Sequence, residues 1–539
     1  MRHGGRILAD QLRIQGIERV FSVPGESFLA LLDGLHDAGI PNTVCRHEGG
    51  AAMMAEAWGK LTRRPAVVAV TRGPGATNAS AGLHVAMQDS TPLIALVGQI
   101  ARGHRDREAF QEVDYRAMFG PLVKWVAEVD DTARLPEYLA RAVSLSMSGR
   151  PGPVVLALPE DMLSAEADVR DRPEVEVPAA AVPELDEVIG RLAAAARPLV
   201  VLGGPRWAQG RADLFREWAE RHGLPVAVSF RRQDRFDNRS PSYVGDLNVG
   251  PNPALMARLR DADLILALGT RLGDISTGGY AALDPVRDAP HLIHVHPDPD
   301  ELNRVWTAAD PIVARAEDVG TALALRDDAL PGWHASTAEA RAAYEAWRVP
   351  RATPGAVRME DVVLHLDAVL PDDAILTNGA GNYAAFLHRY YRWRREGTQL
   401  APTSGSMGYG FPAAIAASLR HPDRPVVCLA GDGCLQMTLN EMSTAVQHGA
   451  KPIVIACDNG RYGTIRMHQE KHYPGRVSGT DLANPDFAAL ARSYGGAGWT
   501  VEDQSAFAPA LDAALGCGRL ALIHLKLDAR MLSTGADLA

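Results

Sequence analysis

Gly431-Asp432-Gly433 ends one apolar run, RPVVCLA, and Asp458-Asn459-Gly460 ends the next, PIVIAC, in the pattern GDG-x24-DN. Asp432 offers a carboxylate and Asn459 a carbonyl oxygen, hard donors that suit Mg²⁺. Gly431 and Gly433 let backbone amides approach a phosphate closely. A Mg²⁺ held by few protein ligands keeps phosphate oxygens in its shell, so the chemistry indicated is a metal-bridged diphosphate. A lone GDG is a common turn; the asparagine at the end of a second strand is what sets this one apart. A second candidate is Glu48, after Cys45-Arg46-His47 and before the Ala- and Met-rich stretch GGAAMMAEAWGK. A carboxylate that opens a helix gains from the macrodipole, and taken alone it is only a first-turn charge. Met407, taken alone, is a core methionine.

Strand ends need strands. Continuous apolar runs alternate with amphipathic helical stretches through the whole chain. They are Pro65–Thr71 and Pro92–Gly98, then Arg197–Pro205, Ala262–Thr270 and His291–Pro297, then Asp373–Gly379, Arg424–Gly433, Lys451–Asn459 and Leu520–Leu527. Such runs predict parallel sheets covered by helices on both faces. Ala/Pro/Asp/Glu-rich residues 163–185 and the stretch VPRATPGAVRM read as linkers. The expected architecture is α/β, three consecutive doubly wound parallel-sheet domains at 1–165, 185–345 and 358–539, and ligands belong beyond the carboxyl ends of the strands. With 539 residues, 47% of them hydrophobic, the chain can bury several cores and is not disordered. A net charge of −10 gives no basic footprint for nucleic acid. No apolar run reaches the ~20 residues of a membrane span, and the start lacks a signal-peptide pattern. Five cysteines in no metal or CxxC spacing read as reduced thiols of a cytoplasmic enzyme.

GDG-x24-DN resembles the GDG…NN signature of thiamine diphosphate enzymes, with Asp458 at the first asparagine and the metal-binding Asn459 retained. RHE-x-x-A-x-x-x-A-E, SVPGES (Ser22–Ser27), TRGPGATN (Thr71–Asn78), AFQEVD (Ala109–Asp114) and SGSMGYGFPAA (Ser404–Ala414) resemble acetolactate synthase large subunits and their relatives. The resemblance implies a pyrimidine-binding, a central Rossmann-like and a diphosphate-binding domain. It implies Mg²⁺ on Asp432, Asn459 and the backbone carbonyl of Arg461. Thiamine diphosphate would then meet Gly431, Asp432, Gly433 and Cys434, the loop carrying Asn459, Arg461, Tyr462 and Gly463, and the segment Asn382-Tyr383. The carbonyl of Gly405 would receive its 4′-amino group, with Ser406 alongside and Met407 packed beneath the bent cofactor. Glu48 would be the catalytic glutamate that hydrogen-bonds N1′ of the aminopyrimidine and favours the imino tautomer. Gln111 would reach the site of a neighbouring subunit. Glu48 and the GDG come from different chains in that family, which implies a homodimer or homotetramer.

The function so implied is decarboxylation of a 2-oxo acid with carboligation to a second carbonyl compound. The histidine pair of pyruvate-decarboxylase-like enzymes is not present; His104 stands alone near AFQE. The resemblance also brings FAD to the middle domain, but the sequence departs there. His296 replaces one acidic residue, Asp298 is kept, and GDLNVGPNP (Gly245–Pro253) replaces a Gly-Met-His-Gly stretch. These departures weigh against FAD and toward a vestigial nucleotide site. Glu26 and Gly49 also depart, which leaves the substrate open. Simple decarboxylation with aldehyde release is the alternative, and a non-catalytic homologue a third reading.

Overall fold

The computed structural model describes residues 1–283, 291–535 and 537. Three six-stranded sheets follow one another along the chain, and every strand pair within them is parallel. In the first sheet β1 is Val20–Ser22, β2 Asn42–Val44, β3 Ala66–Val70, β4 Leu93–Gln99, β5 Trp125–Glu128 and β6 Pro153–Pro159. In the second, β7 is Pro198–Leu202, β8 Val226–Val228, β9 Tyr243–Asp246, β10 Leu264–Leu268, β11 His291–His296 and β12 Asp310–Val313. In the third, β13 is Ile375–Asn378, β14 Gln399–Leu400, β15 Val426–Gly431, β16 Ile453–Asp458, β17 Ala497–Val501 and β18 Ala521–Lys526.

The strand orders are β2-β1-β3-β4-β6-β5, β9-β8-β7-β10-β11-β12 and β14-β13-β15-β16-β18-β17. The outer sheets share one topology, and the middle one has the dinucleotide-fold order 3-2-1-4-5-6. The likeness among the three segments is therefore one of class for the middle domain and of detailed topology for the outer two. Central strands such as β4, β15 and β16 are buried along their whole length, as helices on both faces require.

Five helices position the candidate residues: α1 (Glu48–Thr62), α2 (Pro74–Asp89), α3 (Tyr383–Tyr390), α4 (Gly410–Arg420) and α5 (Asp432–Gln436). A sixth, α6 (Gly463–His472), has no buried residue. α1 is buried on nearly every side, because it packs on the first sheet, on α2 and on α4 of the third domain. Its glycines and alanines make this approach feasible: a Cβ on Gly82 of α2 would stand 2.4 Å from the Cβ of Ala52. One apolar core consequently runs through the first and third domains, from Phe21 and Trp58 to Phe411 and Val426. The linker after the first domain is pinned back on it, since Gln11 exchanges hydrogen bonds with Arg172 and Gln15 with Pro173 and Val175.

Candidate active site

The first sheet order ending that carries chemistry lies in the third domain. β15 and β16 pair in register, Gly431 opposite Cys457, so the loops after them lie side by side, as the sequence predicts. Asp432 begins α5. Its Oδ1 accepts the Gly433 amide at 2.8 Å, and its Oδ2 accepts the Gly460 amide at 3.0 Å and Asn484 Nδ2 at 2.8 Å. Burial, with the neighbouring Asp458 charge adding to it, pushes the Asp432 carboxyl up to about 6. Two carboxylates this close and this dry are the environment a divalent cation relieves.

Asp458 is an active part of this arrangement rather than an idle departure. Its Oδ1 accepts Asn484 Nδ2 at 2.7 Å, and its Oδ2 accepts His524 Nε2 at 2.7 Å and Lys526 Nζ at 2.9 Å. His524 and Lys526 both lie on β18, the next strand to β16. Burial works to raise the Asp458 carboxyl, but the hydrogen bonds from His524, Lys526 and Asn484 overcome it and hold it well below the usual range. Asn484 thus joins the two carboxylates. Nothing in the local sequence announces it, because it comes from the irregular segment before the helix Phe487–Ser493. Asn484→Ala removes two hydrogen bonds to charged groups, each worth about 1.5–3 kcal/mol. The third domain should lose stability on that scale in denaturant unfolding; an unchanged midpoint would mean the bridge is not made in solution.

Asn459 donates through Nδ2 to the Met531 carbonyl at 3.1 Å, and among the described residues no hydrogen bond ends on its Oδ1. Arg461 forms an antiparallel bridge with Asp481. The bonds that make it come from the flanking residues, Tyr462 N to Thr480 O and Leu482 N to Gly460 O. The Arg461 carbonyl is left uncommitted among the described residues. Asp432, the Asn459 side-chain oxygen and that carbonyl make a set of hard donors around one loop pair, which fits Mg²⁺. Among the described residues no group of three or more His, Cys, Asp or Glu could hold a metal; this donor set contains a single carboxylate and does not need one.

The glycines beside these donors are shaped by tyrosines. A Cβ on Gly431 would lie 2.8 Å from the Tyr383 ring, and one on Gly433 2.4 Å from the Tyr462 ring. Tyr383 is buried. Its hydroxyl accepts the Gly379 amide at 3.1 Å and donates to Cys434 Sγ at 3.2 Å, while the Gly408 amide donates to the same sulfur at 3.1 Å. Tyr383 and Cys434 therefore tie the loops at 379–381, 405–408 and 431–433 together as a wall. Asn382 is occupied with α6: its amide donates to Thr464 Oγ1 at 3.1 Å and its Oδ1 accepts from that hydroxyl at 3.0 Å. Gly463 sits against Asn459. Met407 is half-buried against the third-domain core, with the Ser406 hydroxyl donating to its carbonyl, and Gly405 adopts a left-handed φ of 69° in an exposed turn.

The other half lies in the first domain. Glu48 is the first residue of α1, 9% exposed. Its Oε2 accepts Asn78 Nδ2 of α2 at 2.9 Å, and His47 caps the helix by accepting the Gly49 amide at 3.0 Å. A second carboxylate serves the same terminus: Glu441 of the third domain accepts the amides of Arg46 and His47 at 3.2 and 3.0 Å. Gln111 packs on Gly73 and has φ 67°, and Asp106 and Glu108 in the same loop are also left-handed. Such strain in non-glycine residues is concentrated at functional sites. Among the described residues no hydrogen bond or ion pair joins Glu48, Asn78 or Gln111 to Asp432, Asn459, Arg461 or their loops. The chain holds both halves; Glu441 ties the third domain to the start of α1, but the Glu48 side chain itself bonds to Asn78 of its own domain.

Three family models match the chain. The N-terminal TPP binding domain of thiamine pyrophosphate enzymes matches residues 2–118, the central domain 185–323 and the C-terminal TPP binding domain 379–525. The acetolactate synthase isozyme 2 large subunit of Escherichia coli (strain K12) is 30% identical over 538 residues, covering 98% of this chain and 96% of that protein. An acetolactate synthase large subunit of Parasynechococcus marenigrum is 32% identical over 95% of this chain and 85% of its own length. Among solved structures, the thiamine diphosphate-dependent 4-hydroxybenzoylformate decarboxylase of Rhodococcus jostii RHA1 superposes with a TM-score of 0.83 at 26% identity, covering 98% of this chain and 99% of that one.

Proposed function

This chain belongs to the thiamine pyrophosphate enzyme family, and from that premise we propose that it decarboxylates a 2-oxo acid with thiamine diphosphate and Mg²⁺ and joins the remaining fragment to a second carbonyl compound. The observation that carries the reading is the Asp432 carboxylate beside the Asn459 side-chain oxygen and the Arg461 carbonyl, both uncommitted among the described residues, with Gly431 and Gly433 packed tightly on the rings of Tyr383 and Tyr462. When bound, thiamine diphosphate supplies the nucleophilic carbon and the electron sink. The chain's own residues do the rest. Asp432, Asn459 and the Arg461 carbonyl would hold the metal, which would neutralise the diphosphate. Glu48, nearly buried and oriented by Asn78, would give its carboxylate to the aminopyrimidine, where one hydrogen bond has leverage on the tautomer. Calorimetric titration of metal-stripped protein with thiamine diphosphate tests the site. One equivalent per chain should bind with Mg²⁺ and fail to bind without it; binding indifferent to Mg²⁺ would remove Asp432, Asn459 and Arg461 from the site.

That no hydrogen bond or ion pair joins Glu48 to Asp432, Asn459 or Arg461 among the described residues supports a homodimer in which each site takes its halves from two chains. Phe110 on the first domain and Met437, Ile465 and Tyr473 on the third are exposed apolar side chains near the two halves, suited to cover by a second copy. Mixing an inactive Glu48→Gln protein with an inactive Asp432→Asn protein should then restore activity, because a mixed dimer contains one intact site. No recovery from a mixture shown to exchange chains would place each site within a single chain. The similarity to a decarboxylase favours one further reading, release of an aldehyde with no second carbonyl compound. Product analysis with and without an added acceptor aldehyde separates the two.

A further inference from the structure

The stretch Gly245–Pro253, where the sequence departs from the resemblance, takes no part in the site described above, yet the fold gives it a fixed place. The Leu247 amide donates to the Val228 carbonyl of β8 at 2.8 Å, and Asn252 caps the next helix by accepting the Ala254 amide at 3.0 Å. Between these anchors Asn248 leaves the middle domain and reaches α3 of the third, where its Nδ2 lies 2.8 Å from Nδ1 of His388. Across the ring, His388 Nε2 lies 3.3 Å from Oδ1 of Asn378, the last residue of β13. Asn378 Nδ2 in turn donates to the Gly379 carbonyl at 2.7 Å. All three side chains are buried.

The direction of every proton in this series follows from the flanking bonds. Asn248 Oδ1 accepts the Val249 amide at 2.8 Å, so its amino group is what faces His388. Asn378 gives its amino group to the Gly379 carbonyl, so its oxygen is what faces the ring. His388 must therefore accept at Nδ1 and donate at Nε2, which is one neutral tautomer. Burial, with the positive charge of Arg231 adding to it, holds the imidazole well below its ordinary pKa and so keeps it neutral. Trp393 packs on the ring at 6.2 Å between centroids, and Asn238 of the middle domain exchanges two hydrogen bonds with the Trp393 backbone.

The far end of the series lies at the candidate diphosphate site. Gly379 has both backbone groups fixed, its carbonyl by Asn378 and its amide by the Tyr383 hydroxyl at 3.1 Å. Two residues on, a Cβ on Gly381 would stand 2.7 Å from the Tyr383 ring, the same ring that a Cβ on Gly431 would meet at 2.8 Å. Residues 379–381 and Gly431 are thus laid against one ring, and Asn378 sets where the first of them begin.

We propose that Asn248 and His388 are positioning residues through which the middle domain fixes Asn378 and the loop 379–382 for the cofactor diphosphate, an inference that rests on the thiamine diphosphate reading above. Hydrogen exchange of the 379–382 amides in the cofactor-free, full-length protein reads the arrangement directly. Calorimetric titration with thiamine diphosphate and Mg²⁺ reads its consequence. His388→Phe keeps a ring and removes both hydrogen bonds. It should speed exchange in this segment and weaken cofactor binding about tenfold, the scale set by losing a hydrogen bond and stranding a buried partner. His388→Gln, whose amide can still donate to Asn378 Oδ1, should recover part of the affinity. Asn248→Ala should weaken the cofactor in the unaltered protein and add nothing in His388→Phe, because it acts only through that ring. If His388→Phe cannot be purified folded, Asn248→Ala alone decides by the same two readouts. Cofactor affinity unchanged by either substitution, effects of the two that simply add, or a lowered melting temperature with exchange at 379–382 unaltered would each overturn the proposal, and the contact would then serve only to dock the domains. Failure of the unaltered protein to bind thiamine diphosphate with Mg²⁺ is a different result: it would strike the thiamine diphosphate reading and this inference with it.

Discussion

Exchange of Glu48 for glutamine should lower turnover by about 10²–10⁴-fold, the range for loss of a positioned proton-transfer group, while the protein stays folded and still binds thiamine diphosphate with Mg²⁺. The geometry makes this a clean substitution. Glutamine keeps the length of the side chain, and its oxygen can still accept the hydrogen bond from Asn78 Nδ2. The α1 terminus keeps its His47 cap and the Glu441 carboxylate at the Arg46 and His47 amides. What disappears is the capacity to hold and release a proton at that oxygen. The check is CO₂ release from a panel of 2-oxo acids alongside a calorimetric binding isotherm. A variant with full activity would sink the assignment of Glu48, and one with lost cofactor binding would shift its role from proton handling to positioning.

The parts of this site that were legible in sequence are those where a strand end dictates a loop. Gly431-Asp432-Gly433 and Asp458-Asn459 could be set side by side because two uninterrupted apolar runs of ordinary strand length precede them, and β15 and β16 do pair there. Glu48 was legible because a helix start has its own signature. Strands of three residues, such as β1, β2 and β8, are too short to show a period, so the identical topology of the outer sheets could not be read. Asn484 and Glu441 act across distances in the chain with no local pattern to mark them. His524 and Lys526 did leave a signal: two hydrogen-bond donors at i and i+2 in the otherwise apolar LALIHLKL lie on one face of the strand. Both donate to the carboxylate of Asp458, the residue that departs from the family pattern. The hydrogen bonds by which Tyr383 and Cys434 tie the glycine loops to one another likewise have no local sequence mark.

The largest stability effect should come from a residue outside the site. Lys60 of α1 places its ammonium 2.5 Å from Asp89 Oδ2 and 3.0 Å from Glu56 Oε1, over the ring of Tyr409. Glu56 is fully buried and also accepts hydroxyls from Thr91 and Tyr409, both at 2.6 Å; Asp89 accepts the Thr403 amide at 2.7 Å. Lys60, with Arg232 3.7 Å from Asp89 Oδ1, therefore compensates two buried carboxylates that join α1, α2 and the loop leading to Gly405–Met407. Lys60→Met keeps most of the volume and removes the charge. Breaking a buried ion pair by deleting one partner costs about 3–5 kcal/mol, chiefly because the remaining charge is left uncompensated. The first unfolding transition in denaturant should move by that amount, and thiamine diphosphate binding should weaken with it, because Thr403 anchors the Gly405–Met407 loop to Asp89. Adding Glu56→Gln to Lys60→Met should return part of the lost stability, since it removes one of the stranded charges. A double variant no more stable than Lys60→Met alone would mean that the loss arises from packing rather than from charge.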